Sequence, residues 1–63
     1  MNFRMFTYAA SGLKVAVRTD AVEYIEEADK ESRTTYISIG ESRGIEVAED
    51  FDTVLARLNT IAE

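Results

Sequence analysis

Two runs of alternating apolar residues, separated by a pair of glycines, constrain the fold of this chain more than any other feature. The first run lies within residues 34–39 and the second within residues 45–48, on either side of Gly40 and Gly44. Successive side chains of a strand point to opposite faces, so each run predicts a strand with one buried face. Because glycine favours tight turns, residues 40–44 predict the loop of a β-hairpin.

The two glycines also allow a second interpretation, a phosphate-binding loop. Such a loop carries Lys and then Ser or Thr after its second glycine, and a helix follows. Here Gly44 is followed by the strand-like Ile-Glu-Val, and Glu41 would repel a phosphate. We therefore expect a turn and no ligand site.

The first third of the chain predicts another hairpin. Residues 2–9 are rich in strand formers, Ala-Ser-Gly at 10–12 suits a turn, and residues 13–18 alternate apolar with polar or small side chains. Residues 19–31 are ambiguous. Asp20 and Glu23 could cap a helix, whereas Val22, Tyr24 and Ile25 suit a short strand.

The last segment predicts an amphipathic helix over residues 51–62. Asp50 is a natural N-cap, and Asp52 falls in the first turn, where the helix dipole favours negative charge. We expect the apolar stripe to face the core, with Leu55 among the buried residues. The stripe consists of Phe51, Val54, Leu55, Leu58 and Ile61.

The composition limits the chemistry that the chain can perform. Its 63 residues include no cysteine and no histidine, so disulfides, thiolate metal sites and the commonest general base are absent. An acidic run resembles calcium-loop spacing but lacks the glycine that such a loop needs at its sharp turn. We expect a solvated acidic loop, no metal, no cofactor and no enzymatic activity. The run consists of Glu26, Glu27, Asp29 and Glu31.

The charge distribution disfavours nucleic acid as a partner but leaves one local alternative. The net charge is −5, and an acidic protein is repelled by phosphate at long range. The first 19 residues nevertheless carry three basic residues and no acid. Together with the aromatic Phe6 and Tyr8, these could form a surface on which bases stack. The basic residues are Arg4, Lys14 and Arg18.

Self-association is the partner prediction that the sequence favours. A domain this small usually needs added stabilisation, and residues 2–9 carry large apolar groups on both strand faces. A terminal strand is also often an edge strand, open to pairing with another chain. We expect a homodimer or higher homo-oligomer whose contact residues are Phe3, Met5, Phe6 and Tyr8.

Residues 15–58 resemble the small FlbD-type proteins of bacterial flagellar operons. Those proteins have a strand, an Asn-Pro-Asp-x-Ile-x-x-Ile segment, a Thr-x-Ile-x-Leu-x-x-Gly strand, and then Val-x-Glu before a closing helix. The Asn-Pro is absent here, and an N-terminal strand is added. The resemblance implies a small bacterial accessory protein without catalytic residues. The matching positions are Asp20, Val22, Ile25, Thr35, Ile37, Ile39, Val47 and Glu49.

The stretch DAVEYIEEA is also similar to a strand of LytTR-type DNA-binding domains. Those domains are longer and carry a basic DNA-facing surface, which this chain lacks. Both resemblances imply a strand at residues 21–27, and they lead us to expect a strand there.

These observations predict one α+β domain over residues 1–63, with a bent antiparallel sheet of about five strands and one C-terminal helix. We expect a non-catalytic accessory or regulatory module that acts through protein contacts, with a nucleic-acid-binding regulator as the alternative. The start of the chain does not read as a signal peptide, and no apolar run approaches the roughly 20 residues of a membrane span. We therefore expect a cytoplasmic protein.

Overall fold

The computed structural model describes residues 2–59, which contain five β-strands and one α-helix. The elements are β1 (Phe3–Thr7), β2 (Lys14–Arg18), β3 (Tyr24–Asp29), β4 (Thr34–Gly40), β5 (Arg43–Val47) and α1 (Phe51–Asn59). β1 and β2 form one antiparallel sheet, and the other three strands form a second in the order β3–β4–β5. The predicted α+β class is confirmed, with the five strands divided between two sheets.

The two sheets meet where β1 and β5 end. Tyr8 forms an antiparallel bridge with Val47, and the Ala48 N–H donates to the Thr7 carbonyl at 2.7 Å. The strands therefore follow one another in the order β2–β1–β5–β4–β3, with only a short contact at the centre. Among the described residues, β1 pairs with β2 alone within its two-stranded sheet, so it is an edge strand as predicted, and only its last residue, Thr7, is joined to the second sheet.

The turn between β4 and β5 confirms the predicted hairpin but is shorter than the sequence indicated. β4 ends at Gly40 and β5 begins at Arg43, so only Glu41 and Ser42 form the loop. Their φ angles are 53° and 61°, the positive signs of a type I′ turn, which suits the twist of a hairpin. Gly44 lies within β5 and belongs to the strand, not to the loop.

Gly44 is needed because its neighbours leave no room for a side chain. A Cβ atom at this position would clash with the Tyr36 hydroxyl and ring, and would lie 2.7 Å from the Ile37 carbonyl oxygen. Tyr36 stands on the adjacent strand and occupies the space above the glycine. The second glycine of the pair thus serves packing across the sheet.

The ambiguous segment at residues 19–31 contains a strand. A short 3₁₀-helix covers Thr19–Ala21, and β3 follows at Tyr24–Asp29. β3 pairs with β4 and is interrupted by a bulge between Glu27 and Asp29. The interpretation of this segment as a strand is confirmed for these residues.

The core lies between the sheets and the helix. Its five buried apolar side chains come from β1, β2, β4, β5 and α1, so every strand except β3 contributes one, as does the helix. They are Phe6, Val17, Ile37, Val47 and Val54.

Helix α1 begins as predicted, with the Thr53 N–H donating to the Asp50 carboxylate at 2.9 Å. The described helix ends at Asn59, and the remainder of the predicted helix, including Ile61, lies outside the described residues. The prediction that Leu55 is buried is wrong. Its side chain is 41% exposed, and Val54 alone among the described helix residues is fully buried.

Candidate interaction surface

The first hairpin exposes apolar side chains on one face. Directly paired residues of antiparallel strands share a face, which here combines aromatic, aliphatic and basic groups. Phe3 and Met5 are 53% and 55% exposed, and their partners on β2 are exposed as well. We call this surface the hairpin face. Its residues are the cross-strand pairs Phe3–Arg18, Met5–Ala16 and Thr7–Lys14.

The structure divides the four residues predicted for self-association. Phe3 and Met5 lie on the hairpin face, whereas Phe6 points to the opposite side and is 1% exposed. Phe6 packs in the core, with the Arg57 guanidinium 5.5 Å from its ring centroid. Tyr8 is half-buried at the junction of the sheets. The assignment of Phe6 to an intermolecular contact is therefore wrong, because its side chain is already covered within the chain.

The backbone of β1 is held by two side chains that the sequence analysis missed. The Thr7 N–H donates to Glu49 Oε1 at 3.1 Å, and Arg57 Nη1 donates to the Met5 carbonyl at 2.7 Å. Glu49 and Arg57 also form an ion pair at 3.5 Å. These groups join residues 42 and 52 positions apart, so no local pattern could reveal them.

The three basic residues of the alternative prediction do not form one cluster. Lys14 and Arg18 lie on the hairpin face, whereas Arg4 belongs to the opposite side with Phe6. Arg4 Nε donates to the Arg57 carbonyl at 3.0 Å, near the end of α1. Arg4 shares a strand face with Phe6, as predicted, but Lys14 and Arg18 lie on the other face and not beside it.

Arg18 forms an ion pair with Asp20, two residues further along the chain. Its Nε lies 2.8 Å from Asp20 Oδ1, and both side chains are largely exposed. The hydrogen bond from Arg18 lowers the pKa of Asp20 below its usual value. The positive charge of Arg18 is therefore partly neutralised at this end of β2.

The side of β2 that points away from β1 is a free edge. In an antiparallel pair, every second residue directs its N–H and C=O away from its partner strand. The Thr19 N–H donates to the Asn2 carbonyl at 2.9 Å. By alternation along the register, Val17 and Val15 also direct their backbone groups toward β1, and the residues between them direct theirs away. Among residues 2–59, β2 pairs with β1 alone. The residues whose backbone groups face outward are Lys14, Ala16 and Arg18.

An open groove of about 410 Å³ lies beside this edge. β2 forms one wall, and β4 and β5 supply Ile39 and Ile45. Eight of its nine lining residues are apolar or aromatic, which is the surface that an added apolar segment would cover. The lining residues are Phe3, Tyr8, Val15, Ala16, Val17, Arg18, Ala21, Ile39 and Ile45.

Two aspartates outside the first hairpin, Asp29 and Asp50, accept hydrogen bonds from neighbouring residues of the chain. The Ser32 hydroxyl and the Glu31 N–H donate to Asp29 and lower its pKa, and hydrogen bonds from Thr53 lower the pKa of Asp50. These carboxylates stabilise a turn and a helix start. In the described range 2–59, no three acidic side chains converge in a way that could hold a metal ion. No helix within that range is long and apolar enough to cross a membrane.

Comparison with protein-family models, with curated proteins and with solved structures finds no match for this chain. The resemblances to FlbD-type proteins and to LytTR-type domains therefore stay predictions.

Proposed function

We propose that this protein is a non-catalytic accessory or regulatory module that acts through protein contacts, including contacts with copies of itself. The observation that carries the proposal is the hairpin face, on which Phe3 and Met5 are each more than half exposed. Their strand is held in place from within the chain by Glu49 and Arg57, so the exposed side chains stand on a fixed backbone.

Burial of this face would stabilise a small domain. Removing apolar surface from water contributes roughly 25 cal/mol per Å², and a chain of 63 residues has little core of its own. Contacts through a second copy would supply that burial without a disulfide or a metal. We therefore propose a homodimer or higher homo-oligomer as the working form, in the cytoplasm, where proteins rarely depend on disulfides.

The proposal assigns no catalytic role to the chain. The sequence offers no histidine or cysteine, and the three aspartates with shifted pKa values bind a neighbouring arginine, a turn and a helix N-terminus. A catalytic constellation would instead bring a nucleophile, a base and an orienting group to one pocket.

Nucleic-acid binding has one supporting observation as a second candidate. Phe3 is exposed on the hairpin face and stands opposite Arg18, with Lys14 on the same face. However, Arg18 is paired with Asp20, and the net charge of −5 repels a polyanion. Titration with single-stranded DNA at low salt tests this candidate, and saturable binding lost on Lys14→Glu would favour it.

Sedimentation equilibrium at micromolar concentration tests the proposed self-association. We expect a mass that is a multiple of 7.1 kDa for the natural chain and a folded monomer for the double variant Phe3→Ser, Met5→Ser. Leu13→Ser is the matched control, because Leu13 is 67% exposed but lies outside the hairpin face. A monomeric natural chain, or a double variant that associates like the control, would contradict the proposal.

A further inference from the structure

We propose that the free edge of β2 pairs with the free edge of β3 in a second copy, so that copies assemble head to tail. This inference rests on the proposed self-association and names the two surfaces that meet. It commits to a second copy as the occupant of the edge beside the apolar groove.

β2 and β3, which follow one another in the chain, are outer strands of the two sheets. Within the part of the chain that the structure describes, β2 pairs with β1 alone and β3 with β4 alone. Each edge therefore presents unpaired N–H and C=O groups that another strand can satisfy. The sequence contains no proline, the residue that would block such pairing.

The two edges carry opposite charges. β2 holds Lys14 and Arg18 and no acid, whereas β3 holds three acids and no base. All of these charged residues are exposed. Opposite charges on adjacent strands stabilise a sheet, and like charges placed opposite each other destabilise it. The acids of β3 are Glu26, Glu27 and Asp29.

The same charges disfavour the two symmetric alternatives. In a two-fold pairing of β2 with itself about Ala16, Lys14 of one copy would stand directly opposite Arg18 of the other. Pairing β3 with itself would bring six carboxylates together across the junction. Only the mixed pairing, β2 with β3, brings a basic strand beside an acidic one.

Apolar surface accompanies both edges. The groove beside β2 is lined mainly by aliphatic and aromatic side chains, and Tyr24 at the start of β3 is 52% exposed. A strand added to β2 would cover part of that groove while its backbone satisfied the edge. Because the two contact surfaces differ, the assembly is either a closed ring or an open filament.

Proline at Ala16 tests the contribution of the β2 edge. The Ala16 N–H points away from β1, so Ala16→Pro removes an outward donor and leaves the hairpin bonds intact. Ala16→Val is the matched control, because it keeps the donor and suits a strand. We expect circular dichroism to show that the proline variant is folded. Its association should be weaker than that of the natural chain by about tenfold or more, and the Ala16→Val control should associate like the natural chain. A folded proline variant that associates like the control would overturn the proposal.

Charge reversal gives a test that does not depend on proline. One variant carries Lys14→Glu and Arg18→Glu, so both of its edges are acidic. The other carries Glu26→Lys and Glu27→Lys, so positive charge dominates both of its edges. We expect each variant alone to sediment as a monomer, and an equimolar mixture to associate, because each edge then meets its complement. Association should weaken as salt screens the charges.

The outcomes separate this inference from the proposed function. If both charge variants associate alone while Phe3→Ser, Met5→Ser is monomeric, the edge pairing is wrong and the hairpin face stands as the contact. If mixing fails to restore association between two folded, monomeric variants, head-to-tail pairing is likewise wrong. A monomeric natural chain would overturn both proposals.

Discussion

The two hairpins of this protein are built from similar alternating sequences but differ in what surrounds them. Four of the seven residues of β4 are buried, against one of five in β1. β4 lies between β3 and β5 and also contacts the helix, whereas the hairpin face of β1 and β2 has no layer over it among the described residues. The comparison indicates that the second hairpin supplies stability and the first supplies surface.

The difference follows from position in the sheet. A central strand gains hydrogen-bonded neighbours on both sides, and its inner side chains are covered by the helix as well. The first hairpin contributes Phe6 and Val17 to the core from one face only. Its other face is then available for a partner at little cost to the fold of the protomer.

The largest loss of stability is expected on substitution of Ile37, which lies in the middle of β4 and is fully buried. Ile37→Ala should lower the free energy of unfolding by about 2 to 5 kcal/mol, the usual result of deleting a buried aliphatic group. A domain of this length has roughly 3 to 9 kcal/mol in total, so much of the variant should be unfolded at 25 °C. Met5→Ala, on the exposed face of the first hairpin, is the control and should change stability by less than about 0.5 kcal/mol in the monomer. Equal effects in urea unfolding would break the distinction between the hairpins.

The next largest loss of stability is expected at Val54, the buried residue of helix α1. Val54→Ala should lower the free energy of unfolding by about 2 to 3 kcal/mol, because two methyl groups leave a fully buried site. Leu55→Ala should cost less than about 1 kcal/mol, because that side chain is 41% exposed. Thermal unfolding of the two variants compares neighbouring positions on one helix. A more damaging Leu55 variant would mean that the helix face is rotated from the one described.

Substitution of one glycine in each hairpin, Gly44 in the second and Gly12 in the first, compares the two backbones. Gly44→Ala should destabilise by about 1 to 3 kcal/mol, since its Cβ atom would be forced against Tyr36 and the Ile37 carbonyl. Gly12→Ala, in the turn of the first hairpin, would meet no described atom within 4 Å and is strained only by its φ of 78°. Its expected cost is about 1 kcal/mol. A larger loss at Gly12 would show that conformational strain outweighs packing.

The sequence predicted what local patterns encode. Alternation predicted the strands, and Asp50 followed by an apolar stripe predicted the start of the helix. The periodicity of the helix could not decide which residue of the stripe faces the core, because Val54 and Leu55 are adjacent and the described helix spans only Phe51–Asn59. That choice depends on how the helix crosses the sheets, a property of the tertiary fold.

The position of the basic residues was predictable in principle. If Leu13, Val15 and Val17 face one side of β2, then Lys14 and Arg18 must face the other, because strand side chains alternate. The contacts of Glu49 and Arg57 with β1 were not predictable, since they depend on the helix returning to the first strand. Of the residues predicted for self-association, Phe3 and Met5 are exposed and Phe6 is buried, and self-association through the exposed pair stays a prediction.

The smallest predicted effect is a gain in stability at the turn of the second hairpin. Glu41 and Ser42 both adopt positive φ, which costs residues with a Cβ atom energy that Asn and Gly largely avoid. The first hairpin already places Gly12 at its left-handed position, so the two turns differ in strain as the strands differ in burial. Replacing both residues, Glu41→Asn and Ser42→Gly, should raise the free energy of unfolding by about 1 kcal/mol. Urea unfolding measures the gain, and sedimentation of the same variant should be unchanged because the turn lies outside the hairpin face. A loss of stability would mean that contacts of Glu41 or Ser42 outweigh the relieved strain.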